Sequence, residues 1–180
     1  GAITSYEIIV DSCKFLRNVR QGFSLTNAEN VTITNSEFNE TGRINSAGYV
    51  FDLSNPGAGL DIEPLTGEHV KNAYFENCNF NNNFGPAVGN AVHAANSTEN
   101  ISFNKCNYYS RRGGGLVITG RKILFDSCNI YASVLYAGSG NIAGEETKYI
   151  SCHFEDKPYQ DSIYWNHAQP LINIDGTIVP

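Results

Sequence analysis

The sequence predicts an all-β solenoid, a stack of coils each 22–24 residues long. Three observations lead there. A short unit recurs along the chain with a Cys or Ser in one fixed phase, the apolar alternation slips at the same place in each unit, and the composition is rich in turn formers and poor in charge. Of 180 residues, 17 are Gly, none is Met and 17% are charged, a usage that suits many short strands better than helices.

The recurring segments are residues 8–15 (IIVDSCKF), 31–38 (VTITNSEF), 73–80 (AYFENCNF), 101–108 (ISFNKCNY), 123–130 (ILFDSCNI) and 147–154 (TKYISCHF). Their common column reads Cys13, Ser36, Cys78, Cys106, Cys128, Cys152, with steps of 23, 42, 28, 22 and 24 residues. The long step equals one ordinary unit plus an inserted loop at 39–58. Val31 and Ile33 share a strand face, yet Ser36 and Phe38 follow in the opposite phase, so the alternation slips across Thr34 and Asn35. A strand that changes phase at a fixed polar dipeptide turns a corner while keeping its inner side inward. Two inward columns follow: Val10, Ile33, Phe75, Phe103, Phe125, Tyr149, and Phe15, Phe38, Phe80, Tyr108, Ile130, Phe154. Further strands are expected at Phe23–Thr26, Leu60–Glu63, Val92–Ala94 and Leu116–Thr119, each usually after a Gly-bearing turn. An ordinary β-sandwich would leave the shared phase of the cysteines unexplained.

Several function classes are disfavoured. The net charge of −6 argues against a nucleic-acid partner, which normally requires a basic face. No run of 18 apolar residues is present, so insertion of a helix into a membrane is not expected. Residues 1–20 carry no secretion-signal pattern, and the apolar ends at Ile3 and Val179 predict that the native protein continues beyond at least one end. Residues 156–180 leave the repeat and read as a last irregular coil or a connection to a further region, with a strand-like Leu171–Ile174.

Five cysteines cannot all pair. Stacked coils bring neighbouring column Cα atoms to about 4.8 Å, but parallel Cβ vectors keep the Cβ atoms slightly too far apart for disulfides. The column therefore reads as a ladder of reduced thiols acting as small apolar groups, which favours assembly in a reducing cytoplasm. A zinc site is the sharper alternative, but no CxxC pair occurs, and neither a metal nor a cofactor is expected.

Chemistry is expected on the outer face at Leu60-Asp61-Ile62-Glu63-Pro64. With Leu60 and Ile62 inward, Asp61 and Glu63 share the outer face with Cα atoms roughly 6.5–7 Å apart. That separation suits two carboxyls flanking a glycosidic bond, and their repulsion raises one pKa as a general acid requires. Solvated acids or a cation site are the plainer readings. If Ala94 stacks on Ile62, His93 joins the pair as a candidate base for hydrolysis or β-elimination. Arg111, Arg112 and Arg121 are candidates for binding an acidic glycan, and Asp52 on the inserted loop overhangs the same face. Glu68 and His69 are weaker candidates. Outward or turn-borne Tyr109 and Tyr136 offer rings for sugar stacking, as do Tyr49 and Tyr131. Asn77, Asn79 and Asn81–Asn83 read as stacked turn residues satisfying backbone groups.

Over residues 1–155 the chain resembles the right-handed parallel β-helix superfamily, the pectate-lyase-like fold, with N-V-T-I-T-N-S-x-F at 30–38 typical of its coils. The resemblance implies the handedness, in a solenoid of about seven coils. G-L-D-I-E-P at 59–64 resembles a segment of phage tailspikes and related polysaccharide-processing proteins. That likeness implies a homotrimer in a virion tail, made in the host cytoplasm and cleaving a bacterial surface polysaccharide, with glycoside hydrolysis favoured over elimination. A non-catalytic glycan-binding or structural shaft, and a bacterial polysaccharide lyase or epimerase, are the alternatives.

Overall fold

The computed structural model describes residues 3–42, 57–90, 97–110, 116–118, 120–131, 135–137, 147–155, 173–174 and 177–178. They form a parallel β-solenoid. Its first coil carries β1 (Ser5–Asp11), β2 (Lys14–Leu16) and β3 (Gln21–Leu25), and the second β4 (Ala28–Thr34), β5 (Glu37–Asn39) and β6 (Ala58–Ile62). The third comprises β7 (Val70–Glu76), β8 (Asn79–Asn83) and β9 (Val88–Asn90), and the fourth β10 (Thr98–Asn104), β11 (Asn107–Ser110) and β12 (Leu116–Ile118). The fifth has β13 (Arg121–Asp126), β14 (Asn129–Tyr131) and β15 (Leu135–Ala137), and a sixth has β16 (Lys148–Ile150) and β17 (His153–Glu155).

Strands of like position stack into three parallel sheets, two six-stranded and one five-stranded. The described strands thus make five three-stranded coils and a two-stranded sixth, fewer than the seven expected. Of the C-terminal region the described residues are β18 (Asn173–Ile174) and β19 (Thr177–Ile178), which pair antiparallel in a sheet of their own.

The corner expected at the phase slip is real and has a backbone cause. Ser12, Asn35, Asn77, Lys105, Ser127 and Ser151, each just before the Cys/Ser column, adopt φ of 51–54°. One left-handed residue rotates the chain between the first and second sheets without breaking either. A second left-handed column, Glu7, Asn30, Asn72, Asn100 and Lys122, lies within the first sheet. Asn tolerates this region best, and its amides run up the stack. Asn30 Nδ2 donates to Glu7 Oε1 (2.9 Å), Asn72 to Asn30 Oδ1 (3.2 Å) and Asn100 to Asn72 Oδ1 (2.8 Å). Asn129 donates to Asn107 and Asn107 to Asn79 in the same way on the second sheet. At the first corner, Asp11 accepts from Thr34, Asn35 and Ser12, and these bonds hold its carboxyl below the usual range.

The thiol ladder is in register through Lys14–Glu37–Asn79–Asn107–Asn129–His153, the residues that follow it. Cys78, Cys106 and Cys128 are buried, Cys152 is half-buried and Cys13 on the first coil is exposed, all with free thiols. Each Sγ donates to the carbonyl two residues back at 3.3–3.4 Å. Ser36 Oγ makes the same bond to Thr34 O at 2.7 Å. The column therefore caps a corner carbonyl, which explains why Ser can replace Cys there. Burial, with contacts to Cys128 and Cys78, pushes the Cys106 thiol up and keeps it protonated.

Both inward columns stand as expected. Phe75, Phe103, Phe125 and Tyr149 stack at 4.7–4.9 Å between ring centroids, and Phe15, Phe38, Phe80 and Tyr108 at 4.9–5.2 Å. The two stacks meet edge to face, as in Phe103 against Phe80 and Tyr108. Tyr108 is wholly buried, and among the described residues its hydroxyl has no hydrogen-bond partner. On the first coil the same columns are only partly covered at Ile8, Val10, Phe15 and Phe23, and Ile9 is exposed on its outer side.

Candidate functional site

The third sheet carries the acids. Phe23 pairs with Leu60 and Leu25 with Ile62, and all of them face the core. Alternation then sends Asp61 to the outer side, in register with Ser24 on the coil before and Gly89 on the coil after. Outward does not mean exposed, however: Asp61 retains only 4% of its surface. Gly89 has no side chain to flank it, and the Pro86 ring occupies the space a Cβ at Gly89 would enter (2.9 Å). Glu63, whose amide donates to Leu25 O at 2.9 Å, is half-buried.

Gln21 Nε2 donates to Asp61 Oδ2 at 2.7 Å, reaching from the coil before. Burial pushes the Asp61 carboxyl above its usual range, opposed by the Gln21 bond and reinforced by the Glu63 charge. Arg20 adds a smaller pull toward the charged form. Two acids were expected to stand on either side of a bond. Instead Asp61 is nearly buried, and the neighbouring Glu63 charge adds to the burial that favours its protonated form.

The third coil departs from expectation. Leu60, Asp61 and Ile62 pair with Val88, Gly89 and Asn90, so the strand is Val88–Asn90 and the residue stacked on Ile62 is Asn90, not Ala94. Both segments match an apolar, any, small-or-polar pattern. The neighbours decide between them, because Val88 fills the core between Leu60 and Leu116. The geometric ground for placing His93 beside Asp61 is thereby removed. His93 itself lies outside the described residues, as do Asp52, Arg111, Arg112 and Tyr49.

The remaining candidates divide by sheet. Tyr136 pairs with Val117, and Val117 with Gly89, so Tyr136 occupies the register column of Asp61 three coils on. Tyr109 pairs with Tyr131 on the second sheet, beside the Asn107–Asn129 ladder. Arg121 opens β13 on the first sheet, in register with Glu99, and so is not on the face of β6. Glu68 Oε2 accepts from the Leu65 amide (3.0 Å) within its own turn, and His69 Nε2 meets Glu29 Oε1 at 2.6 Å. Among the described residues no group of three His, Cys, Asp or Glu converges as a metal site.

Gln21 is the residue that sequence reading missed. Its strand was expected to begin at Phe23, whereas it begins at Gln21, in register with Ala58. The available signal was Gly22 against Gly59: the two glycines bring the first and second coils close enough for the amide to reach. Compared with protein-family models, curated proteins and solved structures, the chain matches none.

Proposed function

We propose that the protein binds and cleaves a bacterial surface polysaccharide by glycoside hydrolysis, with Asp61 and Glu63 acting as one acid. The observation that carries this reading is a nearly buried carboxyl, held by Gln21, beside a more accessible one. Burial raises the Asp61 pKa, so it keeps its proton to higher pH than an ordinary aspartate, which favours protonation of a leaving sugar oxygen. Glu63, the accessible member, meets the substrate; Asp61 holds the proton behind it. The proton passes to the glycosidic oxygen, the C–O bond breaks, water adds at the anomeric carbon and its proton returns to the pair. The likeness of residues 59–64 to tailspike segments supplies the substrate class and, with it, a phage-tail homotrimer acting at the bacterial surface.

A second reading, a glycan-binding or purely structural shaft, is favoured by the near-complete burial of Asp61, which keeps that carboxyl away from a bound substrate. Digestion of a panel of bacterial surface polysaccharides, with mass analysis of the products, separates the two. The hydrolase reading expects oligosaccharides carrying an added water, and a kcat lower by about 10²–10⁴ in Glu63→Gln. Normal cleavage by both Glu63→Gln and Asp61→Asn refutes the mechanism, and binding without cleavage by the wild type supports the shaft. Unsaturated uronates in the product would instead identify a lyase.

Asp61→Asn is expected to fold. An acid whose pKa is raised by folding destabilises the folded state increasingly as pH climbs from the unfolded pKa through the folded one. Removing that charge while keeping an oxygen for Gln21 therefore leaves the variant at least as stable as the wild type at neutral pH.

A further inference from the structure

We propose that Gln21, on the coil before the acids, is a positioning residue of the same site: its amide fixes the Asp61 carboxyl so that it faces Glu63 for proton exchange. This rests on the reading of Asp61 and Glu63 as the reacting pair. The geometry that carries it is specific. Gln21 opens β3, its Nε2 lies 2.7 Å from Asp61 Oδ2, and Asp61 is nearly buried two residues before Glu63. A carboxyl held at one oxygen by an N–H donor presents its other oxygen in a fixed direction. Asp61 lies in register with Gly89 and retains only 4% of its surface, so little solvent can replace that donor.

The register makes the bond possible. Gly22 faces Gly59 O across the coil boundary, and a side chain at residue 22 would push the strands apart. The glycine pair brings the end of Gln21 to the acid two residues beyond Gly59. An N–H donated to a carboxylate favours the charged form, so Gln21 opposes the effect of burial and sets the pH at which the pair gives up its proton.

The test is the titration of the Asp61 carboxyl carbon by NMR in the wild type, Gln21→Ala and Gln21→Glu, alongside polysaccharide digestion across pH. Gln21→Glu keeps the side-chain length and removes the donor, so it remains informative if the Ala variant fails to fold. The Asp61 midpoint is expected to rise in both variants, further in Gln21→Glu because a third carboxyl is added. With it, kcat falls about tenfold or more while KM stays within about twofold, as for a misplaced reacting group, and the acidic limb of the pH profile moves upward. An unchanged midpoint in a folded, active variant refutes the role of Gln21 and leaves the acid pair intact. A rising midpoint in a protein whose wild type cleaves no polysaccharide confirms that Gln21 controls Asp61 and refutes the catalytic reading on which its positioning role depends.

Discussion

Phe103→Ala is expected to remove about 3–5 kcal/mol of stability, a large share of the roughly 5–15 kcal/mol typical of a domain. Phe103 is fully buried at the middle of the stack, 4.7 Å from Phe75 and 4.9 Å from Phe125. It also meets Phe80 and Tyr108 edge to face, so its loss opens both aromatic columns at once. Neighbouring rings cannot collapse into the gap, because each is held to its coil by a parallel ladder on both sides. The opposite change in the same core runs the other way. Tyr108→Phe removes a buried hydroxyl that has no partner among the described residues, from a column whose other described members include Phe15, Phe38 and Phe80. It is expected to raise stability by about 1 kcal/mol. Denaturant unfolding of the two variants beside the wild type checks both signs, and equal midpoints would show that the stack is not continuous.

Gly59→Ala is expected to cost about 3 kcal/mol or more, with loss of the acid site. A Cβ at residue 59 would collide with Asn83 Nδ2 and come within 2.7 Å of Ala87 O and 3.0 Å of Phe38 O. Two of those three obstacles are backbone and cannot turn aside. Asn83 is itself committed: its Nδ2 donates to Phe38 O at 2.8 Å and its Oδ1 accepts from the Thr41 amide at 3.0 Å. Displacing it strands buried polar groups, which adds about 1–3 kcal/mol to the steric cost. Because Asp61 lies two residues further along the same strand, the shift also breaks the 2.7 Å bond to Gln21. Thermal unfolding and the Asp61 carboxyl signal report the two effects; a variant with unchanged melting would mean that the coils are spaced more widely at this point.

The solenoid was legible because the same side chains recur in the same columns. Phe75, Phe103 and Phe125 mark the inner side, and the polar residue before each Cys or Ser marks the corner, where its left-handed backbone accounts for the slip in alternation. The third sheet was less legible. Its strands are short and lack the thiol marker, so Val88–Asn90 and Val92–Ala94 could not be told apart until Leu60 and Leu116 set the register. Alternation set Asp61 apart from the core residues Leu60 and Ile62, but it gave no sign that Asp61 is itself buried. Alternation tells inside from outside; it does not tell what lies over the outside, here Pro86 above Gly89. Gln21 escaped because a contact between coils depends on which residues stack, and that required the pairing of Gln21 with Ala58.

Residue-by-residue thiol labelling under native conditions tests the solenoid most directly, since five natural cysteines mark one column from the first coil to the sixth. Cys13 is expected to react at once and Cys152 more slowly. Cys78, Cys106 and Cys128 should react only as fast as the whole protein unfolds, and all three at a common rate. Rapid labelling of any of these three in the folded protein, or three unrelated rates, would contradict a single interior ladder and with it the register that joins Gln21, Asp61 and Glu63.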